Sequence, residues 1–517
     1  MKSPTSGIAI ASALALGAAC EQPVPSSMDS TVVLDQRQLV TPLVCPGARH
    51  CEDADGDLHV GAAARAITPS LDAPVYLAGF GQGRPATGIH DDIWARALVL
   101  ERGTTRIALV ALDVEGWLHH DAVRIKQAAH AAGLAIDDLV VVATHTHASK
   151  DTIGLWGPDV ANSGLDAAFN QFVVEQATAA LAEATSALTR ARMTAGTTSA
   201  AQYVRDSRLP EVRDDAVHTL HFTATDDARN VATLVVWGNH PESMGEGNTE
   251  LTSDYPHYLR EELEARLPGT TAIFAPSVLG GLTTPMGPLV CPDAGGDVET
   301  CPTGDWRRPE AIGRAVASWA VASLSDPAAV TDDAPTLGSR RMPVLLTPTN
   351  LPLAFAFSLG LVRRPLYDSE SGERIPEDAV EGLSIDDVPL GLYQIDSELN
   401  ALSIGDVELL TSPGELYAEL WVTDADGNAL IEQPAGADFP DAPIEVPYQA
   451  MMRDAPRKIL LNNANDSIGY IIPRPQFDRD APFAYVEDGQ YGEANSIGAL
   501  AAPELARGVR DLYQLQP

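Results

Sequence analysis

The sequence predicts an α/β fold: a single large domain in which mixed β-sheets are flanked by helices. Short apolar runs alternate with segments of helical spacing, which is typical of α/β proteins. No stretch rich in Pro and Gly divides residues 60–512, so one domain is expected there. Hydrophobic residues make up 45% and charged residues 20% of the 517-residue chain, a balance that excludes a largely disordered protein.

Each predicted strand is a run of Val, Leu, Ile and Ala bounded by turn residues. The run LVVVAT at 139–144 is almost continuously apolar, as in a strand that is buried on both faces. The turn residues Arg102-Gly103 separate the first two strands. The predicted strands lie at 96–101, 107–113, 139–144, 232–237, 272–275, 343–347, 402–411 and 458–462.

The predicted helices have apolar residues three and four positions apart and end where Gly or Pro follows, as at Gly133 and Pro268-Gly269. The apolar run at 351–362 is shorter than the roughly 20 residues that a membrane-spanning helix needs. We predict that it belongs to the core, with a lipid-facing wall as the alternative. The predicted helices lie at 121–132, 166–188, 254–267 and 309–323.

The N-terminus has the features of an export signal. A basic residue precedes the apolar run at 7–19, and Cys20 follows small residues, as at a bacterial lipoprotein processing site. We predict that residues 1–20 are a signal peptide of the lipoprotein type, with plain secretion as the alternative. Residues 21–57 are rich in Pro, Ser and Asp and are predicted to form a flexible tether. The protein is therefore expected to be a bacterial cell-envelope lipoprotein, associated with a membrane through a lipidated Cys20, or to be secreted.

The four cysteines that follow Cys20 fit an exported chain, in which disulfides persist. They allow three pairings, and the local pairs Cys45–Cys51 and Cys291–Cys301 close short loops at the least entropic cost. A metal site made of all four thiolates is the alternative, although neither spacing is the CxxC of such sites.

The charge of the chain excludes one class of partner. The formal net charge is −37, and a surface this acidic repels phosphate backbones, so nucleic acid is excluded as the main partner. Only four lysines occur in the chain, which argues against a polybasic patch for membranes. The sequence makes no prediction of the oligomeric state.

Side chains that bind metals follow three predicted strands. His145 and His147 stand in ATHTH, His240 ends ATLVVWGNH, and Glu415 stands in TSPGE. Histidines two residues apart on an extended segment point the same way, and α/β proteins place their sites at strand ends. The sequence therefore predicts a catalytic site at the strand ends, with zinc as a metal suited to these ligands. The alternative for each residue alone is a polar loop position.

From about residue 58 to about residue 510 the chain resembles the neutral/alkaline, non-lysosomal ceramidase family, in its catalytic domain only. Residues 58–517 are accordingly predicted to form a ceramidase-like zinc hydrolase domain. Five short motifs in the family's order carry the resemblance: VGAAARAITP at 60–69, GIHDDIWARA at 88–97, THTH at 144–147, PGE at 413–415 and GY at 469–470.

The resemblance implies a set of metal ligands. His145, His240, Glu415 and Tyr470 would bind one zinc ion per chain. His147 would be the neighbouring catalytic histidine, which exchanges protons with the zinc-bound water or with the leaving amine. The tyrosine ligand follows from the resemblance and not from the strand-end pattern.

The resemblance also implies further catalytic residues. Tyr491, in QYGEA, is similar to a tyrosine that stabilises the transition state. Arg208, in SRLP, is similar to the substrate-site arginine of the family, with Arg205 as the rival. Thr283 or Thr284 stands where the family has a serine near the scissile amide.

The implied activity is that of a zinc-dependent hydrolase of linear amides. Zinc-activated water would cleave the N-acyl bond of ceramide-like lipids to give a fatty acid and a sphingoid base. The chain departs from the family pattern after THTH, where the family has SGPGG and this chain has ASKD. Compared with the family, residues 286–308 resemble an insertion near the site. These departures leave open a zinc hydrolase of a different amide or ester, or a non-catalytic surface lipoprotein that binds lipid or metal.

A metallo-β-lactamase-like enzyme is a weaker alternative, suggested by the acid after THTH. Its H-x-H-x-D-H motif needs an aspartate two residues after the second histidine. Asp151 lies four residues after His147, and no histidine follows it directly.

Overall fold

The structure is a computed structural model that describes residues 41–283, 289–292, 298–376, 379 and 390–516. Seven α-helices form within these residues. The side chain of Asp166 caps the second helix by accepting hydrogen bonds from the backbone N–H groups of Ala168 and Phe169. The helices are α1 (His119–Ala131), α2 (Ala167–Ser186), α3 (Tyr255–Arg266), α4 (Arg307–Ser323), α5 (Leu351–Ser358), α6 (Tyr448–Met451) and α7 (Ala501–Gln514).

The β-strands of the described residues are between two and twelve residues long. The first twelve are β1 (Leu43–Cys45), β2 (His59–Ala66), β3 (Gly88–Ile89), β4 (Trp94–Arg102), β5 (Thr105–Leu112), β6 (Asp138–Ala143), β7 (Thr189–Ser199), β8 (Arg205–Asp206), β9 (Ala216–Ala224), β10 (Asn230–Trp237), β11 (Glu250–Leu251) and β12 (Thr271–Pro276). The others are β13 (Leu282–Thr283), β14 (Leu289–Pro292), β15 (Val298–Cys301), β16 (Val330–Asp332), β17 (Leu337–Leu346), β18 (Leu366–Asp368), β19 (Arg374–Ile375), β20 (Tyr393–Ile404), β21 (Val407–Thr411), β22 (Glu415–Leu416), β23 (Arg457–Leu461) and β24 (Tyr470–Ile471).

Two mixed sheets form the centre of the fold. The larger sheet has the order β12-β10-β9-β7-β2-β4-β5-β6, with β16 beside β7. The smaller one has the order β1-β17-β20-β18-β19, with β21 beside β20 and β23 beside β21. Most neighbouring strands are antiparallel, but β5–β6, β10–β12 and β21–β23 are parallel pairs.

The two sheets face each other across an apolar core, and helices cover their outer faces. Alternate residues of β6 serve both layers: Val140 and Val142 face the smaller sheet, whereas Val141 packs with α1 and α2. This double burial explains why the segment is apolar at successive positions. Helix α7 covers the smaller sheet, where its Gly508 approaches Val344 of β17. The α/β fold class with mixed sheets and flanking helices is confirmed.

The predicted elements have counterparts in the structure, with differences at their bounds. The predicted strand 402–411 is wrong as one element, because a turn at Gly405-Asp406 separates β20 from β21. Strands β7 and β9, which form the middle of the larger sheet, have no counterpart among the predicted strands.

Part of the predicted tether, residues 43–51, lies on the smaller sheet. There β1 pairs antiparallel with β17, and Leu43, Cys45 and Cys51 form a small buried cluster. These residues are therefore packed on the smaller sheet. The signal peptide and Cys20 lie outside the described residues and remain predictions.

Both local disulfides are present, Cys45–Cys51 and Cys291–Cys301, which confirms the predicted pairing. Among the helices of the described residues, none has the length and apolarity that crossing a bilayer requires.

Candidate active site

The motifs at the strand ends converge, because three parallel strand pairs end at the same edge of the two facing sheets. His145 and His147 follow β6, His240 follows β10, and Glu415 follows β21. Parallel neighbours carry their carboxyl ends to one side, where α/β proteins hold their sites. The ring centroids of His145 and His240 lie 4.8 Å apart, although 95 residues separate them in the sequence (240 − 145 = 95).

His145 is held by the loop that follows β5. Its Nδ1 lies 2.6 Å from the carbonyl oxygen of Glu115, and its side chain is buried. Its φ is +68°, so the segment is not extended at this residue and the predicted extended conformation is wrong. Both imidazoles of the HxH motif nevertheless reach one cavity, and their ring centroids are 5.0 Å apart. The convergence is therefore achieved by a turn and not by the period of a strand.

His240 and Glu415 complete the closest contacts. Nδ1 of His240 lies 2.7 Å from the carbonyl oxygen of Leu282, and its Nε2 lies 2.9 Å from Oε2 of Glu415. The same carboxylate oxygen is 3.4 Å from Nε2 of His145. One oxygen of Glu415 thus faces the Nε2 atoms of both histidines.

This donor set fits a zinc ion. A neutral imidazole that donates a hydrogen bond from Nδ1 to a carbonyl presents a lone pair at Nε2. In both His145 and His240, Nδ1 lies against a backbone carbonyl and Nε2 faces the same oxygen of Glu415. With a metal ion in place of the Nε2 proton, both lone pairs would point at that ion. Such a cluster needs a proton or a cation between its members, and nitrogen with carboxylate oxygen is a ligand set of zinc.

The charges within the cluster shift its titration. Burial lowers the pKa of His145, but the carboxylates of Glu415 and Glu115 outweigh it and raise that pKa to about 9. Burial would raise the pKa of Glu415, but His145 and His240 hold it well below its ordinary value. Burial raises the pKa of Glu115 to about 8. Glu415 is therefore the anionic member of the cluster near neutral pH.

His147 occupies a different environment from its neighbours. Phe80 packs edge-on against its ring, and a Cβ at Gly79 (φ +98°) would lie 2.3 Å from Cγ of His147. Its Nδ1 has no hydrogen-bond partner among the described residues, and the carboxylate of Glu242 lies 3.6 Å away. Burial, together with His145 and His240, holds the pKa of His147 well below its ordinary value. The imidazole is thus neutral near neutral pH.

A second assignment of His147 is also compatible with the geometry. One ligand atom each of His145, His147 and His240 lies within 4.8 Å of the others, a spacing that could hold a metal ion. In that arrangement His147 is a ligand, and the resemblance-based role in proton transfer is lost.

Two tyrosines stand beside the histidines. The parallel pair β22–β24 sets Tyr470 opposite Glu415, and the ring centroid of Tyr470 lies 6.5 Å from that of His240. The hydroxyl oxygens of Tyr470 and Tyr491 are 3.4 Å apart. Burial raises the pKa of both phenols, so their hydroxyls remain protonated at neutral pH and can donate hydrogen bonds.

An apolar cavity of about 100 Å³ adjoins these polar groups. Its wall includes His145, His147, Glu415, Tyr470 and Tyr491 together with many apolar side chains. Helix α5, which was predicted to be core, forms part of this wall through Leu353, Ala356 and Phe357. The prediction that this run belongs to the core is confirmed, because Ala354, Ala356 and Phe357 lie in the main apolar cluster. The same helix also faces the cavity, and a helix rich in Leu and Phe has the same composition in either place.

The other predicted site residues do not line the cavity. Arg208 is buried, and its Nη2 lies 2.6 Å from Oε1 of Glu493. The half-buried Thr283 lies opposite the exposed Arg205 in the short β8–β13 pair. Thr284 lies outside the described residues. The geometry therefore gives no support to direct substrate contacts of Arg208 or Thr283.

Several groups that shape the site were not among the predicted site residues. Glu115 follows β5 just as His145 follows β6, so the strand-end rule could have found it. Glu242, two residues after His240, could have been noticed as an acid beside a candidate ligand. The carbonyl of Leu282 had no sequence signal, because any residue supplies a backbone oxygen.

Comparison with known proteins shows which family and which fold this chain resembles. Residues 58–305 match the family model described as neutral/alkaline non-lysosomal ceramidase, N-terminal, which confirms the resemblance. The chain is similar in fold to a neutral ceramidase from Pseudomonas aeruginosa, with a TM-score of 0.63 and 17% identity over 90% of this chain and 75% of that chain. A ceramidase complexed with C2 gives a TM-score of 0.64 and 17% identity over 89% of this chain and 75% of that chain. A search among curated proteins gives no significant match.

Proposed function

From the premise that this chain is a ceramidase-like hydrolase, with residues 58–305 as its ceramidase N-terminal region, we propose a zinc-dependent hydrolysis of linear N-acyl amides. The substrate class is ceramide-like lipids, which yield a fatty acid and a sphingoid base. The observation that carries the proposal is the Glu415 oxygen at 2.9 Å from Nε2 of His240 and 3.4 Å from Nε2 of His145, beside an apolar cavity.

The metal would be held by His145, His240, Glu415 and Tyr470, as the family resemblance implies. When bound, it supplies the Lewis acidity that makes water a nucleophile near neutral pH. The protein fixes the two histidines for this purpose through their Nδ1 contacts to backbone carbonyls, which set both the ring orientation and the tautomer.

The proton transfers belong to His147 in this proposal. Its neutral imidazole takes a proton from water while the water oxygen bonds to the acyl carbon. It then gives that proton to the amine nitrogen as the C–N bond breaks. The contact with Phe80 fixes the ring.

Tyr491 and the apolar wall of the cavity stabilise the developing charge and bind the acyl chain in this proposal. The hydroxyl of Tyr491 donates a hydrogen bond to the acyl oxygen as negative charge develops there, a contribution that typically amounts to about 10²–10³ in rate. The apolar wall that includes Leu353 and Phe357 accommodates a hydrocarbon chain and excludes water from the reacting atoms.

The test compares substrates with the same acyl chain. Release of fatty acid from N-acylsphingosine, from a simple N-acyl amine and from an acyl ester is measured before and after chelation and after addition of zinc. Zinc-restored hydrolysis of N-acylsphingosine, faster than that of the other two, is the expected result.

Two other outcomes correspond to the alternative functions. Hydrolysis of only the simple amide or the ester would favour a zinc hydrolase with a different substrate, which the departures from the family motifs already suggest. No turnover together with much less than one zinc per chain would favour a non-catalytic lipoprotein.

The cellular location is a separate proposal that rests on the sequence. An exported protein anchored through Cys20 would meet such lipids at a membrane. Labelling of the full chain with a radioactive fatty acid, lost in Cys20→Ser, tests this anchor, and an unlabelled chain would leave secretion as the alternative.

A further inference from the structure

We infer that Arg208 is a positioning residue that holds the segment around Tyr491 at the cavity and does not itself contact the substrate. The inference rests on the proposed function, since it takes Tyr491 to be the donor to the developing charge. It reassigns a residue for which the family resemblance implies direct substrate binding.

The first observation is that the charge of Arg208 is already paired. Its Nη2 lies 2.6 Å from Oε1 of Glu493 and also donates to the carbonyl of Gln476. The exposed fraction is 2% for Arg208 and 3% for Glu493. If the guanidinium turned toward a substrate, it would leave Glu493 as a buried charge without its counter-ion, which is strongly unfavourable.

The second observation is that aromatic rings enclose the guanidinium. Its central carbon lies 5.3 Å from the ring centroid of Tyr417 and 5.8 Å from that of Tyr485. Cation–π contacts at these distances favour the observed position of the side chain. The ion pair and the two aromatic rings therefore hold the guanidinium in place, while Nε has no hydrogen-bond partner among the described residues.

The third observation is that the same segment binds the residues on both sides of Tyr491. The backbone N–H of Leu209 donates to Oε1 of Gln490 at 2.7 Å, and Nε2 of Gln490 donates to the carbonyl of Leu209 at 2.8 Å. Glu493 is held by Arg208 itself, and the hydroxyl of Tyr417 donates to the carbonyl of Tyr491 at 3.3 Å. The segment 208–209 thus clamps residues 490 and 493 and fixes the backbone between them.

The clamp determines where the hydroxyl of Tyr491 lies. It lies 3.4 Å from the hydroxyl of Tyr470 and 3.3 Å from Nδ2 of Asn495, so few contacts of its own fix it. Its position depends on the clamped backbone. Because a misplacement of about 1 Å in a catalytic group can cost about 10²-fold in rate, the clamp controls turnover without touching the substrate.

The kinetic test uses the zinc-loaded enzyme and the variants Arg208→Lys, Tyr491→Phe and their combination. Lysine retains the charge but lacks the planar guanidinium that lies near the rings of Tyr417 and Tyr485 and donates from Nη2 to Glu493. We expect Arg208→Lys to lower kcat by up to about 10²-fold with KM nearly unchanged, because the defect lies in the position of Tyr491. In the Tyr491→Phe background the same change should lower kcat by less than about threefold, since residues that act as a unit are not additive.

A direct substrate contact predicts the opposite pattern. Arg208→Lys would then raise KM, and its effect would multiply with that of Tyr491→Phe, which would overturn the inference. Arg341→Lys is the matched control, because it alters another buried pair, with Asp138 at the beginning of β6, far along the strand from His145. Its kcat should be unchanged in both backgrounds.

A second measurement does not depend on any substrate. We expect amide hydrogen exchange at 488–495 to be faster in Arg208→Lys than in the wild type, while other regions keep their rates. Gln490→Ala, which removes the two surface hydrogen bonds to Leu209, should have the same effect if Arg208→Lys does not fold. Unchanged exchange in the folded variants would overturn the clamp, whereas a wild type without turnover but with this response would overturn only the proposed function.

Discussion

The histidine side and the tyrosine side of the candidate active site are built in different ways. His145 and His240 come directly after buried strands, and each is fixed by a contact of 2.6–2.7 Å to a backbone carbonyl. The hydroxyls of Tyr470 and Tyr491 contact each other at 3.4 Å and depend on short pairings and loops for their place. The rigid side suits the binding of an ion, and the less constrained side suits groups that respond to the substrate.

The largest loss of zinc binding and hydrolysis is expected from substitutions on the histidine side. His145→Ala removes one of the two fixed nitrogen donors and should abolish both zinc binding and detectable hydrolysis. Metal content by elemental analysis and fatty acid release measure the two. His130→Ala, an exposed histidine near the end of α1, is the control and should retain both. Full zinc content in His145→Ala would remove this residue from the ligand set.

The second prediction distinguishes the two roles of His147, proton transfer and metal binding. If it transfers protons, His147→Ala should lower kcat by about 10²–10⁴-fold while most of the zinc remains bound. Elemental analysis and steady-state kinetics on the same preparation provide the comparison. Loss of zinc equal to that in His145→Ala would instead establish the three-histidine arrangement.

A smaller effect is expected from the tyrosine side. Tyr491→Phe removes the proposed donor to the acyl oxygen and should lower kcat by about 10²–10³-fold, with metal content unchanged. Tyr448→Phe is a matched control, because that buried hydroxyl has no hydrogen-bond partner among the described residues. Equal turnover in Tyr491→Phe and the wild type would show that this hydroxyl is not used.

The smallest effect tests the apolar wall. Ala356→Phe enlarges a side chain of α5 that lines the cavity and should lower kcat/KM for long acyl chains by about tenfold, with little change for short ones. Leu359→Phe, just beyond the end of α5 and 45% exposed, is the control. An equal loss for all chain lengths in Ala356→Phe would mean that the acyl chain does not lie along this helix.

The same contrast explains what the sequence could predict. The histidines and Glu415 stand next to continuous apolar strands, so the strand-end rule found them without knowledge of the fold. Tyr470 and Tyr491 lie outside long strands and helices and have no periodic signal, and only the family resemblance pointed to them. The left-handed turn at His145 could not be predicted from strand geometry, because a histidine rarely adopts that conformation.

Among the strands of the fold, too, only those with a continuous apolar pattern could be predicted from the sequence. Strands β6, β10 and β12 were predicted because they are buried on both faces and therefore apolar throughout. Strands β7 and β9 carry polar residues in alternation and were missed. The pairing of Arg208 with Glu493 joins residues 285 positions apart, and a charge at one position does not indicate its partner at that distance.

The proposed ligand set is tested by locating the metal in crystals of the zinc-loaded protein, from anomalous scattering at the zinc edge. We expect a single peak bonded to Nε2 of His145, Nε2 of His240 and the carboxylate of Glu415, with Tyr470 as the fourth protein ligand. A peak bonded to His147 with Glu415 and Tyr470 uncoordinated, or no peak among these residues, would contradict this ligand set.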